Sequence, residues 1–134
     1  MKRNAMPLAI LFILLMLPAW ASAGSVQGSV QGYTCVTQGK VCPVGKEDPL
    51  IAVEKVFVIL TRSKSYYFVP NLDRGILARH INQEVKVTGR INNVFPSIIA
   101  KRLDVMKRGK WRIVWTPRQE REIRKDLGLD YGGF

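Results

Sequence analysis

Two cysteines, one histidine and a mixture of aromatic and basic residues are the side chains of this sequence that could do chemistry. Cys35 and Cys42 have six residues between them, which is not the C-x-x-C spacing of a redox pair, and no histidine follows Cys42 as haem attachment requires. His80 is the single histidine. A metal site would therefore have to combine it with Cys35 and Cys42, both as thiolates. Glu120 and Glu122 are two apart, and on a helix they point in different directions. Neither a G-x-S-x-G nucleophile signature nor a phosphate-cradling glycine loop is present. The expectation is a chain without catalytic residues, metal or cofactor.

Binding residues are better represented. Lys64, Tyr66, Tyr67 and Phe68 mix a cation with aromatic rings, Lys86 and Arg90 alternate with apolar residues, and Arg112 lies between Trp111 and Ile113. Cations that follow an anionic chain, together with rings that stack on its flat parts, are what single-stranded nucleic acid binding demands. We take Lys64, Tyr66, Tyr67, Lys86, Arg90 and Arg112 as candidate binding residues. Against this stands the plainer expectation that Tyr66, Phe68, Trp111 and Trp115 fill the core while the basic residues solvate its outside.

The net charge is +11, with ten Lys and Arg between Lys101 and Lys125 against Asp104, Glu120 and Glu122. Such a balance draws nucleic acid, anionic lipid, acidic polysaccharide or an acidic protein, and charge alone does not choose among them.

The first 23 residues choose a compartment. Lys2 and Arg3 precede the apolar block Pro7–Leu17, Pro18 interrupts it, and Ala21-Ser22-Ala23 offers small residues to a signal peptidase. The block is shorter than the roughly 20 residues that span a bilayer. The expectation is a leader over 1–23, cut after Ala23, and a periplasmic or secreted product without a stable transmembrane anchor. Loss of Lys2 and Arg3 lowers the formal charge to +9. In an oxidising compartment the even cysteine count reads first as a Cys35–Cys42 disulfide. So short a loop would gain a little under about 3 kcal/mol. Export also sets an unknown anionic ligand or envelope protein ahead of nucleic acid as the partner.

The elements that must position these residues are mostly strands. Residues 24–49 hold a doubled Ser-Val-Gln-Gly, which is either a flexible leader or a glycine-bent strand, and a loop rich in Gly and Pro. Ala52–Thr61 and Tyr66–Val69 read as strands joined by the polar Arg62–Ser65, and Asp73 caps a short helix through about His80. Glu84–Ile91 alternates with period two, and Gly89 within it marks a bulge or bend. Ser97–Met106 is a further strand in which a bulge near Lys101-Arg102 lets Ile98, Ala100, Leu103 and Val105 share the core face. Trp111, Ile113 and Trp115 alternate along the last strand. Thr116-Pro117, with Gln119 behind, starts a helix that Gly128 stops. Residues 50–116 thus form the barrel core and 117–134 a basic helix and tail.

This order, with a helix between the third and fourth of five or six strands, is the plan of an OB-like Greek-key barrel. The stretch from about residue 30 to 106 resembles the exported stand-alone OB-fold proteins of bacteria, in the broad anticodon-binding-domain-like group. The resemblance rests on Lys64–Phe68, Leu77–His80, Val85–Arg90 and Ile98–Val105. A cysteine near the end of the first strand, here Cys35, is similar to what several of these domains carry. The resemblance implies a mainly β barrel and a non-catalytic binding module, with docking through the basic Trp-containing C-terminal segment as the alternative.

Overall fold

The computed structural model describes residues 23–40, 42 and 52–129. All but Ala23 of the leader read over 1–23, most of the Gly/Pro-rich loop and the tail from Asp130 lie outside the described residues.

Six strands build one sheet: β1 (Ala23–Gly32), β2 (Phe57–Leu60), β3 (Tyr66–Phe68), β4 (Glu84–Asn92), β5 (Ser97–Lys107) and β6 (Lys110–Trp115). Their order is β3-β2-β1-β4-β5-β6, antiparallel throughout. A parallel contact of Phe68 in β3 with Ser97 in β5 closes the first five into a ring. Among the described residues the helices α1 (Tyr33–Thr37), α2 (Arg74–Ala78) between β3 and β4, and α3 (Pro117–Asp126) accompany them. The result is a small OB-like Greek-key barrel with a sixth strand and a C-terminal helix, as the sequence predicts.

The doubled Ser-Val-Gln-Gly is the strand β1. Its period of two sends Val26 and Val30 into the core, while Ser25 and Gln27 alternate outward. β1 pairs with β4 over Ala23–Ser29 and with β2 over Ser29–Gly32. At the changeover a Cβ on Gly28 would stand 2.2 Å from the Leu60 carbonyl oxygen, so only glycine lets β2 come this close.

β2 begins only at Phe57, later than its apolar run suggests. Glu54 is the reason: its buried carboxylate accepts from the backbone N–H groups of Thr34 and Val56, and Arg74 donates to the carbonyls of Ala52 and Glu54. These bonds hold the chain in a non-strand path. α2 starts where expected, with Asp73 accepting from Gly75 N–H at 2.7 Å, but ends at Ala78.

The bulge falls at Lys101. Thr88 pairs with Arg102 and Gly89 with Ala100, so Lys101 is the extra residue and Ile98, Ala100, Leu103 and Val105 are all buried. A second bulge was not foreseen. Leu103 pairs with Trp115 but Asp104 with Ile113, which makes Val114 the extra residue of β6. The phase reverses there. Trp115 enters the core at 5% exposure, whereas Ile113 points outward at 49%, so these two do not share the face that alternation assigns them.

The cysteines are not joined. Cys42 Sγ is buried and accepts the Gly32 N–H at 3.1 Å. The Cys42 N–H donates to Gln31 Oε1, and its carbonyl accepts from Asn82 Nδ2. Cys35 belongs to α1. Hydrogen bonds to the end of β1 and to Asn82, rather than a cross-link, hold Cys42 against the barrel, which corrects the disulfide expected for Cys35 and Cys42.

Candidate ligand-binding surfaces

Strand alternation separates Tyr66 and Tyr67. Tyr67, opposite Ile59, packs against the core, so it cannot join Tyr66 in a surface site. Tyr66 and Phe68 point the other way, in register with Leu60 and Val58. Val58 is fully buried yet outside the barrel core, and it lies under this outer layer. The expectation that Tyr66 and Phe68 fill the core is thereby corrected; of the four aromatics so read, Trp115 alone belongs to the core cluster.

Outside β3 the rings gather into a cluster. Tyr33, at the start of the β1–β2 connection, meets Tyr66 edge-on with centroids 5.8 Å apart and Phe68 at 5.4 Å. Tyr66 and Phe68 are perpendicular at 5.7 Å. Phe95, in the β4–β5 loop, stacks on Phe68 at 5.2 Å with an interplanar angle of 15°. Edge-on and offset-stacked pairs of this kind are the favoured aromatic geometries. Asn92 makes the loop stiff, its Oδ1 accepting from the N–H groups of Val94 and Phe95. Phe95 remains 53% exposed and Val94 almost wholly so. Tyr33 holds the Tyr66 phenol above its ordinary ionisation range, through a hydrogen bond first and its own charge second, with burial adding to both. Tyr66 is thus neutral at physiological pH and does not repel an anion.

The remaining predicted residues do not converge on this cluster. Lys64 sits in the β2–β3 turn with φ 67°. Lys86 and Arg90 lie on the outer face of β4, and Arg112 is exposed on β6. Lys86 Nζ stands 4.8 Å over the ring of Trp111, a cation–π contact that leaves Trp111 half-buried outside the core. Tyr33, Phe95 and Arg102 were missed. The one signal for Phe95 is the turn Asn92–Pro96, where Val94 and Phe95 are bulky apolar residues in an otherwise polar connection.

Arg102 makes the strongest ion pair described. Its Nε reaches both carboxylate oxygens of Asp104 at 2.9 and 2.8 Å, and its Nη2 reaches Oδ1 at 2.7 Å. Asp104 is fully buried, whereas the Arg102 side chain is 46% exposed. Hydrogen bonding to Asp104 raises the Arg102 pKa, desolvation opposes this, and the carboxylate charge adds to it, so the guanidinium is always charged.

A groove of about 520 Å³ separates α3 from the barrel, with Ile76, Val114 and Trp115 on one side and Ile123, Leu127 and Leu129 on the other. α3 buries none of its residues. Among the described residues no three of His, Cys, Asp and Glu gather into a metal-holding group, and no helix is long and apolar enough to cross a membrane.

Fold and surfaces together define an OB-like barrel with a half-buried aromatic cluster on the β3 wall, open at Phe95, and a basic wall on β4 and β5. Comparison with protein-family models, with curated proteins and with solved structures finds no match for this chain.

Proposed function

We propose that this protein is a non-catalytic binding module of the cell envelope that holds an anionic ligand on its outer β2–β3 wall, between the β1–β2 and β4–β5 connections. The observation that carries the reading is the cluster of Tyr33, Tyr66, Phe68 and Phe95, which the fold leaves on the surface rather than in the core. OB barrels bind oligonucleotides and oligosaccharides across this wall and its flanking loops. A net charge of +11, or +9 once Lys2 and Arg3 leave with the leader, draws anions to the surface. The leader over residues 1–23 is part of the proposal and sets an envelope ligand ahead of nucleic acid. A cut after Ala23 leaves Gly24–Gly32 still paired with β4 and β2.

The test is titration of the protein at low salt with carboxylated and sulfated oligosaccharides, single-stranded oligonucleotides and polyphosphate. At least one binds wild type, and Tyr66→Ala with Phe95→Ala weakens it about tenfold or more, as truncation of aromatic anchors does. Equal binding by wild type and the double variant would overturn the assignment of the site.

One observation favours a second reading, an adaptor that docks through its C-terminal segment. Ile123 and Leu127 of α3 are 58% and 66% exposed and form an apolar stripe, while the basic Arg121 and Lys125 lie on the opposite face of the helix. Crosslinking in cells that captures an envelope protein only when Ile123 and Leu127 are intact would favour it.

A further inference from the structure

The bulge at Lys101 changes what the outer wall of β4 and β5 presents. An inserted residue re-aims its neighbours, and here Lys101 and Arg102, consecutive in sequence, are both exposed. Arg90 stands beside them on β4, paired with Ile99. Ala23, Gly89, Arg90, Ile99 and Lys101 line a depression of about 320 Å³ at this point. Asp104, two residues further along β5, is fully buried and engaged by Arg102. Arg90 and Lys101 form no ion pair with any described residue. Three cations sharing one occupied carboxylate repel one another, and an arriving anion relieves that repulsion.

Arg102 is more than a charge in this group. Asp104 takes its Nε and one side of Nη2, which fixes the plane of the guanidinium and leaves Nη1 unused by any described partner. A guanidinium held flat in this way offers a fork that matches a carboxylate or phosphate. Hydroxyls stand in the same row, since Arg102 pairs with Thr88 and Thr88 with Ser25. The wall lacks an open stacking ring: Lys86 covers Trp111, and the aromatic cluster is on β3. Cations and hydroxyls without a ring make this wall a reader of carboxylates and hydroxyls, and export, as proposed above, sets a glycan ahead of nucleic acid.

We infer that the β4–β5 hairpin is the anion-reading half of the ligand site, and that it takes an acidic polysaccharide of the uronate class, whose carboxylates meet Arg102, Arg90 and Lys101. This rests on the reading of the aromatic wall as a ligand site and names the ligand that both walls share. Phe95 sits in the loop of the same hairpin, and Ser97 to Arg102 covers about 17 Å of strand. A glycan of several units spans from the aromatic cluster to the bulge. A cut after Ala23 would open the rim of the depression without removing a cation.

The experiment measures binding of an oligogalacturonate series, and of its methyl ester, to the wild-type protein, Arg102→Lys, Arg90→Ala with Lys101→Ala, and Tyr66→Ala with Phe95→Ala. Wild type binds the acid form, does not bind the ester, and binds longer oligomers more tightly than the monomer. Arg102→Lys keeps the charge and loses the fork, and it weakens binding about tenfold, as loss of a charged hydrogen bond does. Removal of Arg90 and Lys101 weakens it at least as much. If the aromatic variant alone loses binding, the hairpin is not part of the site and the inference falls while the β2–β3 reading stands. If the hairpin variants alone lose it, the hairpin binds the anion by itself, and both the β2–β3 reading and the claim that the two walls share one ligand fall. Arg102→Lys equal to wild type would contradict an oriented arginine. Preference for single-stranded oligonucleotides or anionic vesicles over oligogalacturonate would overturn the uronate assignment.

Discussion

Tyr66 shows how a single contact sets a residue's part in binding. Tyr33 beside it holds its phenol protonated above the usual range, so the aromatic surface carries no negative charge at neutral pH. Tyr33→Phe removes the phenol that raises it, and the Tyr66 ionisation then falls toward the usual value of about 10. Tyrosinate absorbance, or the ring-carbon signal of Tyr66, followed through alkaline pH reads this directly; an unchanged midpoint would mean that Tyr33 does not hold the phenol. Residue identity alone gave little warning of the arrangement. Tyr66 and Lys64 stand out in the sequence beside Phe68, but Tyr33 and Phe95 are 62 residues apart and are brought together only by the closing of the barrel. Arg102 and Asp104 are close in sequence, yet nothing in their spacing shows that one is buried and the other half-exposed.

At the scale of elements, the β4–β5 hairpin depends on a close crossing. A Cβ on Gly89 would lie 2.0 Å from the Ile99 carbonyl oxygen and 2.8 Å from its carbon, both backbone atoms that cannot rotate away. Gly89→Ala should destabilise the protein by about 1–3 kcal/mol, as overpacking does, and urea unfolding measures it; wild-type stability would show that the strands do not approach so closely. Gly89 and the misplaced alternation around Lys101 were both legible in the sequence, because one extra residue in a strand disturbs a period of two visibly. The bulge at Val114 was not. Trp111, Ile113 and Trp115 are all apolar, so the unshifted pattern looked consistent, and only pairing with β5 reveals that Ile113 faces out. β2 failed as a strand before Phe57 for a related reason. One bond to Glu54 comes from Thr34, 20 residues away, and no local propensity records it.

Across the whole molecule, the barrel separates two kinds of surface by which strands form each wall. Rings collect outside β3 and the start of the β1–β2 connection, cations outside β4 and β5, and the loop that carries Phe95 joins the two. A basic composition and a mainly β pattern were readable from the chain, and so was the order of strands around a short helix. The ligand surface was not, because it is assembled from residues far apart in sequence. Chemical-shift mapping of the isotope-labelled protein with its tightest-binding polyanion, at low salt, tests the central claim most directly. Shifts centred on Tyr33, Tyr66, Phe68 and Phe95 are the expected result. Shifts confined to α3 and the groove beside Trp115, or none with any polyanion, would contradict it.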